Sequence, residues 1–316
     1  MQEDVLAKNP TLVTVMFGLN DIVATSKTEY RSNLNTIIDR AEAAGAEVIL
    51  CTPNAVTTTG SRPVEKLEHY CEIIHQIAHE RNVLLCDSYS QCQAMMQQDP
   101  LAWRLTMSDE FHPNCNGHKM LAEQIAATIT GRTISLEDVR PLAPALSFCR
   151  QAIRDDRAVR ILAMPPTDQS VTAAFQSAHP NGQLEVTRWE TADRTLPTLM
   201  NDAKARVRKQ NPDLVVISVP RTAAALSQEE FIHSYAWLMN WSLSFSGATW
   251  DVVVVHPDVT DDPHRADAAE TEEIDTMIRT LVRAQDLPLI DRVQGDKREA
   301  EKIVEEWFRA EVADER

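Results

Sequence analysis

Short runs of β-branched and large apolar residues alternate with longer amphipathic segments along the first 130 residues of this chain. The runs contain few polar positions, which is typical of strands buried on both faces of a sheet. They cover residues 11–17, 47–53 and 83–87, and segments with apolar positions at helical spacing cover residues 29–44, 64–81 and 117–130. This alternation predicts an α/β domain in which helices cover both faces of a parallel sheet.

Residues 131–143 interrupt this pattern with mixed polar residues and a proline at position 141. Because domain boundaries usually fall in such stretches, the chain is expected to contain two domains. We predict a first domain at residues 1–130, a linker at 131–143 and a second α/β domain at residues 144–316.

The second half of the chain repeats the order of features in the first half. Lys8–Val15 is similar to Gln210–Ile217, which lies 202 positions later, and both segments place Asn-Pro before an apolar run. Asp87 has a counterpart in Asp291, again at the end of an apolar run. We predict an internal repeat, and two unrelated α/β domains with similar patterning are the alternative.

The repeat leads to an expectation about the N-terminus. The second copy has a strand pattern at Val159–Ala163 and a helical pattern at Leu196–Lys209 before its matching segment, whereas the first copy has only Met1–Pro10. By this internal standard the first domain is expected to lack its first strand and most of its first crossover helix. A parallel sheet without that strand would have an unpaired edge.

Composition narrows the partners and the compartment. The net charge of −16 at pH 7 would repel a phosphate backbone, so nucleic acid is not expected as a partner. No apolar run reaches the ~18 residues that span a bilayer, so no membrane span is predicted. The acidic N-terminus has no apolar core typical of a signal peptide, and the six cysteines form no C-x-x-C pair. A cytoplasmic location is the default expectation, with export of a longer form left open.

Two polar motifs stand beside these predicted elements. Gly18-Leu19-Asn20-Asp21 follows the first strand directly, and Asp109 and His112 lie three positions apart in a loop before a helix. That spacing lets the carboxylate accept a hydrogen bond from one imidazole nitrogen and leaves the other nitrogen as a general base. A helix-capping aspartate beside an incidental surface histidine is the alternative for the second motif alone.

Together the two motifs resemble those of the SGNH (GDSL-type) hydrolase family over roughly residues 8–130. The resemblance implies a three-layer α/β/α sandwich with a parallel, flavodoxin-like sheet, here in two tandem copies that pack together. It implies hydrolysis of carboxylic esters of small molecules or carbohydrates, with no cofactor or metal. Asn20 would donate its amide to the oxyanion, His112 would be the general base, and Asp109 would orient His112.

The sequence lacks two elements of the family's site. The family's Gly-Asp-Ser motif, which carries the nucleophile, occurs nowhere in this sequence, nor does the glycine that supplies a second oxyanion donor. Four other serines do not follow a strand in a glycine-rich turn, namely Ser26, Ser88, Ser90 and Ser108. We therefore expect the serine to be encoded upstream of Met1 and the chain as given to be inactive or nearly so.

The second copy has lost both motifs. Pro220-Arg221-Thr222-Ala223 stands where the Gly-x-Asn-Asp motif is expected, and only Arg292-Val293-Gln294 separates Asp291 from Gly295. The second domain is therefore predicted to be catalytically dead. This loss supports an alternative function for the whole chain, a non-catalytic module that binds a ligand or a protein and derives from such an esterase.

Two further patterns could hold a metal ion. His75 and His79 share one helical face, with Cys71 one turn earlier, and an acidic stretch lies at His256–His264. Position 76 is Gln rather than the glutamate of a zinc-protease helix, so a surface or packing role is favoured for the histidines. A solvated loop is favoured for the acidic stretch.

Overall fold

A computed structural model of the chain describes residues 1–139, 145–224, 226–244, 249–261 and 268–313. The chain divides into two compact units, Met1–Val139 and Arg140–Arg316, which are called here the N-terminal unit and the C-terminal unit. The linker predicted at residues 131–143 reaches across this division. Its residues 140–143 lie outside the described residues.

The N-terminal unit is built on a three-stranded parallel sheet with the strand order β1-β2-β3. A 3₁₀ turn at Leu6–Lys8 precedes the sheet. The strands and helices are β1 (Leu12–Met16), α1 (Asp21–Ala24), α2 (Lys27–Ala43), β2 (Glu47–Cys51), α3 (Val64–Arg81), β3 (Leu84–Cys86), α4 (Ser88–Gln98), α5 (Pro100–Arg104) and α6 (Cys115–Thr130). The prediction of an α/β domain with a parallel sheet is confirmed.

Helices lie on both faces of this sheet because its strands alternate their side chains. Val15 and Leu50 belong to the main core, together with residues of α2 and α3 such as Leu34 and Ile74. The opposite face carries Ile49, Cys51 and Cys86, against which Ile125 of α6 packs. Parallel strands place their carboxyl ends at the same edge of a sheet, so the loops after β1, β2 and β3 meet there.

Strand β1 is at the edge of the sheet. It pairs with β2 in a register that runs from Leu12 opposite Glu47 to Met16 opposite Cys51. No strand among the described residues pairs with its other side. Thr14 is exposed and Leu12, Val13 and Met16 are half-buried, so only Val15 of this strand is fully covered.

The C-terminal unit has a five-stranded parallel sheet with the order β5-β4-β6-β7-β8. Its elements are α7 (Ser147–Arg154), β4 (Val159–Ala163), α8 (Thr167–Ala178), β5 (Leu184–Arg188), α9 (Leu196–Gln210), β6 (Leu214–Ile217), α10 (Gln228–Ser242), β7 (Asp251–Val255), α11 (Pro257–Thr260), α12 (Ala268–Ala284), β8 (Leu289–Ile290) and α13 (Ala300–Ala313). A 3₁₀ turn at Arg221–Ala224 follows β6.

Strand β6 occupies the centre of this sheet. It pairs with β4 on one side and β7 on the other, and all four of its residues are fully buried. One face packs against α8 and α13 through Phe175, Val304 and Phe308. Among the helices that the structure describes, none combines the length and apolar character that a membrane span requires.

Candidate active site

The turn after β1 depends on a glycine. Gly18 has φ of +131°, a conformation that side chains rarely tolerate, and an added Cβ would lie 3.2 Å from the hydroxyl oxygen of Tyr30. The Gly18 N–H donates to Asp21 Oδ2 at 2.9 Å, and the Tyr30 hydroxyl donates to the carbonyl oxygen of Phe17 at 3.0 Å. These bonds close the Gly-x-Asn-Asp turn and hold Asn20 on the surface, where α1 begins.

The second motif lies in a loop that is closed on itself. Met107 and Pro113 form an isolated antiparallel bridge, and the Ser108 N–H donates to the carbonyl oxygen of His112 at 2.8 Å. Asn114 then begins α6 by accepting the Gly117 N–H at 3.0 Å. A Cβ at Gly117 would lie 2.3 Å from the carbonyl oxygen of Thr106, so only glycine fits where α6 passes this loop.

Asp109 and His112 form a closely bonded pair. Asp109 Oδ1 accepts the backbone N–H groups of Phe111 at 2.7 Å and His112 at 2.8 Å, which fixes the carboxylate. The His112 Nδ1 lies 2.8 Å from Asp109 Oδ2 and 3.0 Å from Oδ1. Since an ionised carboxylate only accepts, Nδ1 carries the proton of the neutral ring and Nε2 keeps its lone pair. The Asp109 side chain is 7% exposed and the His112 side chain 72%, so a buried anion orients an accessible base.

The loop at residues 54–63, which follows β2, joins the two motifs. Asn54 Nδ2 donates to the carbonyl oxygen of Phe111 at 3.0 Å, and the Thr57 N–H donates to that of Glu110 at 2.9 Å. From the same loop, Arg62 Nη2 donates to Asn20 Oδ1 at 2.9 Å. The structure therefore brings the predicted residues into one neighbourhood at the carboxyl edge of the sheet.

Sequence reasoning did not single out Asn54 or Arg62. Both stand in a polar loop without a motif of its own, and their bonds join them to segments more than forty positions away. Their place in the chain could have indicated a role, because the loop after β2 lies at the same edge of the sheet as the turn after β1.

The alternative serines have other roles in the structure. Ser26 caps α2 by accepting the Glu29 N–H at 3.2 Å, and Ser88 is fully buried. The Ser90 N–H is bonded to Asp87, and the Ser108 hydroxyl points back to the carbonyl oxygen of Pro113 at 3.5 Å. In the part of the chain that the structure describes, no hydroxyl hydrogen-bonds a ring nitrogen of His112.

The histidine positions on α3 are not brought together as ligands. His75 Nε2 lies 3.1 Å from Asp87 Oδ2, whereas His79 is exposed. Cys71 is buried in the main core, where burial raises the pKa of its thiol to about 12. A protonated core thiol is a poor metal ligand, so this helix supports the packing role.

The acidic stretch contains a short helix, α11, and its residues 262–264 lie outside the described residues. His256, Asp258 and Asp291 could place ligand atoms within 4.8 Å of one another. However, Arg279 donates to Asp258 at 2.5 Å and to Asp291 at 2.7 Å, and the His256 Nδ1 accepts the Asp258 N–H at 3.1 Å. These groups are already satisfied by an internal ion-pair network, which does not fit a metal site.

The N-terminal part of the chain is similar to known hydrolases. Residues 1–120 match the profile of the GDSL-like lipase/acylhydrolase family. An acetylxylan esterase from Geobacillus stearothermophilus is 26% identical over 136 residues, which are 38% of this chain and 60% of that protein. The chain thus spans less than two thirds of the length of this curated relative.

Several solved structures are also similar to part of the chain. Axe2, an acetylxylan esterase from G. stearothermophilus, is 25% identical with a TM-score of 0.35, covering 41% of this chain and 64% of that one. The acetyl xylan esterase AlAXEase is 23% identical with a TM-score of 0.37, covering 41% and 72%. A lipase/acylhydrolase from Enterococcus faecalis is 23% identical with a TM-score of 0.35, covering 43% and 69%.

Proposed function

The N-terminal unit belongs to the GDSL-like lipase/acylhydrolase family, the SGNH hydrolases, and we propose that it supplies the base and the oxyanion donor of a serine esterase site. The observation that carries this proposal is the contact between a buried Asp109 carboxylate and an accessible His112, at 2.8 Å. A fixed carboxylate of this kind holds the imidazole in one tautomer and stabilises the imidazolium that forms during acyl transfer.

The proposed reaction uses His112 and Asn20 of this unit directly, and Asp109 orients His112. His112 Nε2 takes the proton of a serine hydroxyl as the serine oxygen attacks the ester carbonyl carbon, and Asn20 Nδ2 donates to the resulting oxyanion. The intermediate then collapses, and the leaving alcohol receives the proton from His112. Water then attacks the acyl-serine while His112 takes its proton, and the second intermediate collapses as His112 returns that proton to the serine oxygen and the acid is released.

The serine comes from outside residues 1–316 in this proposal. It would arrive on a segment that adds a parallel strand to the free side of β1, as β4 does for β6 in the C-terminal unit. Parallel strands end at a common edge, so the turn after such a strand would lie beside Asn20 and His112. The C-terminal unit would be a non-catalytic second copy of the same fold.

The proposed substrate is an acetyl ester of a saccharide. Support comes from the curated relative, which is an acetylxylan esterase. The exposure of Asn20 and His112 at the surface also suits a solvated ester better than a long acyl chain, which would need an enclosed apolar channel.

The test compares two forms of the protein on acetylated xylo-oligosaccharides and on a short-chain aryl ester. Residues 1–316 alone are expected to leave both intact, and a form translated from the reading frame upstream of the Met1 codon is expected to hydrolyse both. In that form His112→Ala should lower kcat by about 1,000-fold or more. His79→Ala, which removes an exposed histidine from α3, is the matched control and should change nothing.

An extended form without a Gly-Asp-Ser motif, or one that a serine-directed fluorophosphonate does not label, would overturn the proposal. It would favour the second candidate, a binding module derived from an esterase. The observation behind that candidate is that, in the described residues, no hydroxyl engages His112. A thermal-shift screen with saccharides, run beside the labelling, separates the two functions, since a module is stabilised by its ligand without being labelled.

A further inference from the structure

Arg62 contacts Asn20, the predicted oxyanion donor, at the amide oxygen and not at the amide nitrogen. The guanidinium spans two acceptors of the turn after β1, with Nε 3.4 Å from the carbonyl oxygen of Leu19 and Nη2 2.9 Å from Asn20 Oδ1. A planar fork that binds two acceptors at once fixes direction as well as distance. Arg62 therefore holds both the backbone and the side chain of this turn.

The chemistry of the guanidinium decides which way the Asn20 amide faces. Arginine only donates hydrogen bonds, so the atom of Asn20 that it contacts has to be the amide oxygen. The amide nitrogen then points to the other side, and no acceptor among the described residues engages it. A freely rotating amide would present its oxygen to a developing oxyanion in part of the population, and that arrangement is repulsive.

Arg62 is itself held in place. Its N–H donates to the carbonyl oxygen of Thr59 at 3.2 Å, and the Thr59 N–H donates in return to the carbonyl oxygen of Arg62 at 3.2 Å. Its guanidinium carbon lies 4.7 Å above the centre of the Phe111 ring, a cation–π contact. Phe111 in turn meets the His112 ring edge-on at a centroid distance of 6.3 Å.

From this geometry we infer that Arg62 is a positioning residue for ester hydrolysis, which aims the Asn20 amide at the oxyanion and ties its place to that of His112. The inference rests on the proposed function of the same site. Arg62 acts through Asn20 and does not touch the reacting atoms. Its charge also draws electron density from the amide oxygen and so strengthens the amide N–H as a donor.

The first experiment does not depend on catalytic activity. Nuclear magnetic resonance relaxation of the Asn20 side-chain amide is measured in residues 1–316 for the wild type, Arg62→Ala, Arg62→Lys and Arg31→Ala. Arg31 donates to Gln76 and Glu80 of α3, so its removal is the matched loss of a cation. Only Arg62→Ala should free the amide fully, with an order parameter below about 0.6, and Arg62→Lys should restore part of the order. An unchanged order parameter in Arg62→Ala overturns the inference.

The second experiment is a double-mutant cycle in the serine-containing form. Asn20→Ala should lower kcat by about 100- to 1,000-fold, and Arg62→Ala by about 10-fold with little change in KM. In an Asn20→Ala background, Arg62→Ala should change kcat by less than about 2-fold, because the group that it positions is gone. An equal effect of Arg62→Ala in both backgrounds overturns the positioning role.

The outcomes distinguish a failure of the proposed function from a failure of the role of Arg62. If Asn20→Ala leaves kcat unchanged, the proposed function fails whatever Arg62 does. If Asn20→Ala lowers kcat and Arg62→Ala does not, only the role of Arg62 fails. Hydrogen–deuterium exchange of the 54–63 loop accompanies both experiments, and Arg62→Met, which keeps the apolar stem but has no donor, replaces Arg62→Ala if the alanine variant unfolds this loop.

Discussion

Strands β1 and β6 carry similar sequences but lie in opposite environments. β6 pairs on both sides and its four residues are fully buried, whereas β1 pairs on one side and only Val15 is covered. The same apolar run is therefore a core strand in one unit and an edge strand in the other. An apolar run therefore indicates a strand that can be buried on both faces. The neighbouring strands and helices determine whether it is buried.

The two units also differ in the residues at the carboxyl ends of their strands. In the N-terminal unit Thr52 Oγ1 donates to Asp87 at 3.0 Å, with His75 at 3.1 Å on the other carboxylate oxygen. Counterpart positions in the C-terminal unit, each 204 residues later, are His256, Arg279 and Asp291. There Arg279 donates to Asp291 at 2.7 Å.

The first unit thus keeps neutral or titratable partners where the second has a permanent cation. This correspondence supports the proposed internal repeat. The C-terminal unit has an ion-pair network at the edge that corresponds to the one where the N-terminal unit carries its polar motifs.

The largest expected effect comes from truncating the same leucine in the two strands. Leu214→Ala should destabilise the C-terminal unit by about 3–4 kcal/mol, since the side chain is fully buried and leaves a cavity. Leu12→Ala, its counterpart 202 positions earlier, should cost about 1 kcal/mol, because Leu12 is half-exposed beside the free edge. Urea unfolding of the full chain, followed by hydrogen–deuterium exchange in each unit, measures both. Equal costs would show that β1 is covered in solution.

The second effect concerns the ion pairs. Arg279→Ala should cost about 2–3 kcal/mol, because it leaves the partly buried Asp258 and Asp291 without their shared donor. His75→Ala, the matched change in the N-terminal unit, should cost less than about 1 kcal/mol, since His75 is 40% exposed. The same unfolding measurement applies. A larger cost for His75→Ala would mean that the first unit relies on this contact more than its geometry indicates.

The third and smallest effect is the pH dependence that Asp251 contributes to the stability of the C-terminal unit. Asp251 starts β7 and accepts the Phe148 and Cys149 N–H groups at 2.9 and 3.0 Å, yet burial raises its pKa to about 6. Because this pKa lies above the value of ~3.9 for the unfolded chain, the folded state binds the extra proton. The contribution of Asp251 to the stability of the unit should therefore rise by about 1 kcal/mol as pH falls from 7 to about 5. His256 of the same unit contributes in the opposite direction, because burial lowers its pKa and the folded state resists taking up a proton.

Asp251→Asn should remove this rise, and Glu47→Gln should leave it intact. Glu47 is the exposed counterpart of Asp251 at the start of β2. Below about pH 4 the trend reverses, since the pKa of Asp213 is lowered by the Arg157 donor in spite of its burial, and that stabilisation is lost on protonation. Unfolding midpoints of the wild type and Asp251→Asn at several pH values check the prediction, and identical pH profiles of the two proteins between pH 7 and 5 would contradict it.

The elements with strong periodicity were predictable from sequence. Strand β2 and helix α3 match the predicted apolar run and helical spacing closely, because each buries one continuous set of side chains. The contact between Asp109 and His112 was predictable for a similar reason, since three positions in one loop leave few geometries. The role of Arg62 was not, because a contact across 42 positions depends on how two loops meet after the sheet has formed.

The free edge of β1 also affects how the protein behaves at high concentration. No strand in the part of the chain that the structure describes pairs with this edge, and Phe17 beside it is 54% exposed. Such an edge offers a template on which a second molecule can add a strand. The net charge of −16 opposes such association, but this repulsion is screened beyond ~10 Å at 0.1 M salt. We therefore expect association through this edge to increase as the ionic strength rises.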